Sequence, residues 1–146
     1  MLEITQFIAV LTCTLFTGAA IYINLVEHPA RMGCDTKMAA TVWAPSYKRA
    51  TLMQAPLAII SFLAGMTVCL LGGGTLWLFS AFCIGLVVPF TFVAIMPTNQ
   101  LLLAPGRDLA SEETRELLNK WGNLHTVRSL LSFIALVSYI ALIVGG

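Results

Sequence analysis

The sequence predicts an all-α fold: an integral membrane four-helix bundle, with a short amphipathic helix in the second long connector. Three observations predict it. A run from Ala50 to Gly106 extends for 57 residues without an Asp, Glu, Lys or Arg. Further charge-free runs cover Ile4–Val26 and Ser129–Gly146. The composition is 58% hydrophobic and 10% charged, with a mean hydropathy of +0.88, where a soluble domain carries about 25% charged residues. A helix needs about 20 predominantly apolar residues to cross the hydrocarbon of a bilayer. The longest run is therefore two crossings joined by Gly72-Gly73-Gly74, and the chain supplies four, a single four-span domain over residues 1–146.

Span one runs from Ile4 to His28 and ends at Pro29. It lacks the basic flank of a signal peptide, and its apolar run of 23 residues is longer than a typical signal core. A connector, Ala30–Tyr47, holds Gly33 and Pro45. Span two runs from Lys48 to Leu71 with Pro56 inside it, which a membrane helix tolerates where neighbours satisfy the freed carbonyl. Span three, Thr75–Met96, carries Pro89 as a kink and stops at Pro97. The second connector, Thr98–Lys120, contains the turn Ala104-Pro105-Gly106. Ser111-Glu112-Glu113 then reads as a helix start, and Glu116 and Lys120 stand four apart in the favourable order. Span four begins in that amphipathic helix near Trp121 and runs to Val144.

All eight basic residues fall on one side of these spans. The positive-inside rule assigns that side to the cytoplasm. Both long connectors are then cytoplasmic and both termini lie across the membrane, the plasma or inner membrane in a bacterium. A net charge of +1 and the lack of a basic, aromatic patch exclude nucleic acid as a partner. Cys13, Cys34, Cys69 and Cys83 form no C-x-x-C pair, which excludes vicinal-thiol redox chemistry and makes a disulfide scaffold a poor reading. Gly18, Gly65 and Gly85 allow close helix approach within one chain or between copies, so a homo-oligomer stays open.

Polar residues gather at the basic side. Thr14, Thr17, Ile21, Asn24 and His28 fall on one stripe of span one, at spacings of three and four. Trp121, His125 and Arg128 share a face of span four, and Asn99 and Gln100 leave span three. Spans one, three and four thus aim amides and a His/Arg pair at one membrane depth, where polar side chains normally face the bundle interior. Each has a plainer role. Trp43 and Trp121 are candidates for the interfacial belt, Arg128 for snorkelling, Asn24 and Asn99 for interhelical hydrogen bonding, and His28 for a boundary residue. His125 stands apart, because a cation one turn away disfavours a second positive charge and leaves the imidazole a neutral base. Glu27, His28 and His125 would make a thin metal set. Neighbours on a helix point about 100 degrees apart, so Glu27 and His28 share an ion poorly. No metal is expected, although metal or haem stays open.

With Asn24 and Pro29 closing span one, Pro97-Thr98-Asn99 after span three, and Trp121-x-x-x-His125-x-x-Arg128 entering span four, the chain resembles the anthrone oxygenase family of small four-span membrane proteins. The resemblance covers nearly the whole chain. It implies oxidation of an anthrone, or a similar apolar aromatic, to a quinone by O2 without a cofactor. It assigns His125 as the base, Arg128 with Asn24 or Asn99 as partners of the enolate oxygen, Trp121 as a stacking surface, and His28 as a further substrate contact. The alternatives are a non-enzymatic membrane binding or assembly module and, last, a small transporter. A transporter would want a carboxylate in mid-membrane, and Glu3 and Glu27 lie only at span edges.

Overall fold

The computed structural model describes residues 1–145. Among them four helices are long and apolar enough to cross a membrane: α1 (Leu2–Met32), α2 (Thr36–Gly73), α3 (Leu76–Leu102) and α4 (Glu112–Gly145). They run alternately up and down and pack in a ring, α1 beside α2 and α4, and α3 beside the same two. Leu52, Leu70, Phe92 and Val93 are exposed on the outside, as expected of faces that meet lipid rather than water.

The helices are longer than the sequence predicts, and proline is the reason. Pro29 and Pro97 were expected to end spans one and three, yet both helices pass through them. A proline lacks an N–H and clashes with the carbonyl four residues back. Each of these prolines follows a five-residue π turn, Ile23–Glu27 before Pro29 and Thr91–Ile95 before Pro97. The wider turn shifts the hydrogen-bond register ahead of the ring, and π turns of this kind recur at functional sites. Pro45 and Pro56 lie inside α2, so the expected connector Ala30–Tyr47 shrinks to Gly33–Asp35. Asp35 caps α2, its side chain accepting from the Met38 amide at 2.9 Å.

The glycine turn follows expectation, and the expected connector Thr98–Lys120 shrinks to Leu103–Ser111. Gly72 and Gly74 adopt φ of +86° and +101°, a region that glycine enters without steric cost. Ser111 Oγ accepts from the Thr114 amide at 3.2 Å and starts α4. The amphipathic helix of the second connector forms the first turns of α4 and continues into span four without a break.

Two apolar clusters fill the bundle. One, around Phe16, Val68, Trp77, Ile84 and Tyr139, occupies the half nearer the termini. The other, around Ile23, Trp43, Ile95, Leu118 and Trp121, occupies the basic half. In the first, the Tyr139 hydroxyl donates to the Ser61 carbonyl at 3.2 Å. Gly65 makes that approach possible, since a Cβ there would lie 2.1 Å from the Tyr139 hydroxyl and 2.9 Å from Ala81 Cβ. Overpacking a filled core typically costs about 1–3 kcal/mol. Gly65→Val is expected to lower the melting temperature of the detergent-purified protein, read by circular dichroism, by more than Gly18→Val, whose Cβ would meet open space.

Candidate active site

On α4 the spacing of three and four residues turns Trp121, His125 and Arg128 toward the bundle axis. His125 is 1% exposed and Arg128 8%. Neither guanidinium nor imidazole is at the lipid rim.

Asn24, in the π turn of α1, fixes the imidazole. The Gly122 carbonyl can only accept, so the Asn24 amide nitrogen faces it at 3.3 Å and also donates to Thr126 Oγ1 at 3.0 Å. That turns Asn24 Oδ1 toward His125 Nδ1, at 2.8 Å, and lets it accept from Ser129 Oγ at 2.5 Å. An acceptor opposite Nδ1 places the ring proton there, leaving Nε2 as the nitrogen with a free lone pair. Nε2 makes no hydrogen bond among the described residues, and His125 lines a small chamber.

Arg128 lies under the same constraint. Its Nη2 donates to Gln54 Oε1 on α2 at 3.0 Å, and its guanidinium carbon stands 5.5 Å from the centre of the Phe16 ring. A guanidinium only donates. The Gln54 oxygen therefore faces Arg128, and its NH2 group is turned away. Gln54 Nε2 and Arg128 Nε are both buried without a partner. Buried polar groups are nearly always paired, so each such atom calls for an explanation.

The end of α1 supplies a second, paired cation. Arg31 is bonded to Glu27, one turn back, and to Ser46 Oγ on α2, at 3.2 Å; Ser46 Oγ also donates to Glu27. Arg31 Nη1 lies 3.4 Å from His28 Nδ1. The His28 ring packs 5.2 Å from Trp121, which in turn packs 5.0 Å from His125 and edge-on to Trp43. Trp43 stacks flat on Tyr47, 5.1 Å away. Gly122 admits this packing, since a Cβ there would sit 2.5 Å from His28 Nε2.

Glu27, Arg31, Gln54, Trp121, His125 and Arg128 surround a polar chamber of about 10 Å³, room for about one water molecule. Beside it an apolar cleft of about 80 Å³ opens between α2 and α3, walled by Phe16, Ala58, Val88 and Phe92. Tyr47, Thr51 and Arg128 belong to both walls. Among the described residues, no three of His, Cys, Asp and Glu stand close enough together to hold a metal ion.

A family model described as anthrone oxygenase matches residues 43–138. The chain is similar to an anthrone oxygenase of Aspergillus fumigatus, 29% identical over 137 residues, 87% of this chain and 85% of the relative. It is similar also to one of Pestalotiopsis fici, 31% identical over 119 residues, 72% of this chain and 84% of the relative. The chain belongs to the anthrone oxygenase family. No solved structure matches it.

In this member of the family the expected site residues divide. His125, Arg128 and Trp121 share the chamber wall. Asn24 stands behind His125 with all its hydrogen-bonding capacity engaged, so it positions the imidazole and has nothing left for a substrate oxygen. His28 packs on Trp121 and does not line the chamber. Asn99 is buried, with both amide atoms unpartnered, but lines neither cavity, and Gln100 is exposed. The site is built by α1, α2 and α4 rather than by spans one, three and four. Gln54 and Ser46 of α2 went unnoticed in the sequence. The one available signal was the Glu27–Arg31 spacing of four, which predicts an ion pair on one helix face.

Removing the Asn24 carboxamide would strand the His125 Nδ1–H and leave the Ser129 hydroxyl only its long 3.5 Å contact with the His125 carbonyl. An unsatisfied buried donor costs about 1–3 kcal/mol. Asn24→Leu is therefore expected to lower the melting temperature clearly, while Asn123→Leu, at an exposed position of α4, leaves it nearly unchanged.

Proposed function

We propose that the chain is a membrane oxygenase that converts an anthrone-like tricyclic phenolic ketone to the corresponding quinone with O2, using His125 as base and no cofactor. Family membership and the named relatives support the oxygenase reading and the substrate class. The observation that carries the mechanism is the tether of His125 Nδ1 to Asn24, which leaves Nε2 free beside an unneutralised guanidinium.

In this reading the ring methylene of the anthrone gives a proton to His125 Nε2. The charge that develops on the ketone oxygen is met by Arg128, an electrostatic contribution that is usually the largest in such reactions. Trp121 on one side and the apolar cleft on the other keep the site dry, where that interaction is strongest. The electron-rich enolate passes one electron to O2, and the superoxide so formed joins the carbon radical at the former methylene. His125 returns its proton to the resulting peroxide. Loss of the remaining hydrogen from that carbon, as a proton, then breaks the O–O bond and expels hydroxide, which leaves as water. One oxygen atom ends as the new carbonyl and the other as water, so electrons and protons balance without an outside reductant.

General-base catalysis contributes about 10²–10⁴-fold. In the purified protein, His125→Ala is expected to reduce anthrone-dependent oxygen uptake by at least about 100-fold; full turnover would remove the proposed base. The orientation is a second expectation: a reporter fused after the last residue should be active on the side of the membrane away from the cytoplasm. A cytoplasmic signal would reverse the positive-inside assignment.

A further inference from the structure

The family reading leaves open where a flat, apolar substrate enters a chain whose polar chamber holds about one water. Three cavities adjoin one another. The chamber meets the cleft between α2 and α3 at Tyr47, Thr51 and Arg128. The cleft in turn meets an outer groove of about 340 Å³ at Ala58 and Val88. That groove is walled by apolar side chains, among them Ile59, Phe62, Phe82 and Leu86. Ile59, Phe82 and Leu86 are exposed on the face that meets lipid.

We propose that this passage is the substrate-binding site. A planar aromatic ketone slides edge-first from the bilayer between α2 and α3, and its oxygen is received at the inner end by Gln54 Nε2–H and Arg128 Nε–H. Both donors are buried and unpartnered, and the Gln54 NH2 is turned away from Arg128 by the bond that its oxygen accepts. An oxygen arriving there completes two hydrogen bonds that the protein leaves open. Backbone geometry favours opening at this seam. The α-helical bonding of α3 breaks after Gly85, Pro89 follows, and the π turn Thr91–Ile95 comes next. A Cβ at Gly85 would lie 2.7 Å from Phe62 Cδ2, so the glycine lets Phe62 close the outer end. The proposal rests on the anthrone reading for its ligand class, and it adds the route, the pose and Gln54.

Two measurements test it. Anthraquinone, irradiated with the protein in phosphatidylcholine vesicles, abstracts hydrogen from neighbouring C–H bonds, and the adducts are mapped by mass spectrometry. Adducts at Ala58, Val88 or Phe92 are expected. Adducts confined to the groove between α1 and α4, at Phe7, Leu11 or Ile143, would overturn the proposal. In the second measurement, Val88→Phe narrows the junction between groove and cleft, and Gln54→Met removes the inner donor. Val88→Phe is expected to lower kcat/KM for anthrone at least about tenfold with kcat little changed, because entry and not chemistry is obstructed. Gln54→Met is expected to weaken anthraquinone binding about tenfold through the lost hydrogen bond. Unaltered values for both variants would sink the assignment. Wild-type protein that labels along the passage yet never oxidises anthrone would refute the activity and keep the site. Protein that oxidises anthrone while labelling elsewhere would do the reverse.

Discussion

The carboxamide of Asn24 is the joint on which the basic half of the bundle depends. Its nitrogen donates to α4 at Gly122 and Thr126, and its oxygen accepts from α4 at His125 and Ser129. One side chain thus satisfies four polar groups on the facing helix. In a hydrocarbon-flanked interior, where a lone polar group costs several kcal/mol, such a contact sets register as well as affinity. Sliding α1 by one residue along α4 would break all four contacts and strand the His125 Nδ1–H, whereas Gly122, Thr126 and Ser129 keep partners within α4. The π turn that carries Asn24 also lets the helix continue through Pro29, which brings Glu27 and Arg31 to the same level. The geometry of the base, the ion pair and the chamber therefore follows from one local widening of α1.

Much of this was legible in the sequence, and the limits have physical causes. The four spans follow from hydrocarbon thickness, and the shared face of Trp121, His125 and Arg128 follows from helical spacing alone. The ends of the spans did not follow, because a proline in water-exposed chain ends a helix whereas here a π turn accommodates it. Treating Pro29 and Pro45 as boundaries turned the first three turns of α2 into a loop and hid Trp43, Ser46 and Tyr47 as inward-facing residues. Gln54 was hidden differently. A single amide in a long apolar run carries no periodic signal, and its importance arises only from the arginine that meets it across the bundle. Asn99 shows the converse, a polar residue at the right depth on a helix that does not line the chamber.

The division of labour between the two halves matters for chemistry. The half nearer the termini is packed by Trp77, Tyr139 and Phe16 around close contacts at Gly65. The basic half holds the aromatic ladder Tyr47–Trp43–Trp121–His125, a rigid wall beside the imidazole. An imidazole held by a hydrogen bond behind it and a ring beside it has little freedom to reorient.

Charge gives the strongest physical reason to expect an anion in the chamber. Arg31 has Glu27 as its counter-ion. Arg128 forms no ion pair among the described residues: it donates to an amide oxygen and lies against the face of Phe16, while Glu27, in the same chamber wall, is engaged by Arg31 and Ser46. Burying a lone charge is costly, and a positive charge without a partner is stabilised most by a negative charge that arrives with the ligand. A ground-state ketone brings only a dipole, whereas its enolate brings a full charge to the same oxygen. In the proposed mechanism such a site would bind the deprotonated form more tightly than the neutral one, the differential binding that lowers a barrier to proton abstraction. The same argument explains why the neutral partner of Arg128 is an amide. A carboxylate at position 54 would neutralise the guanidinium in advance and remove the preference for the enolate.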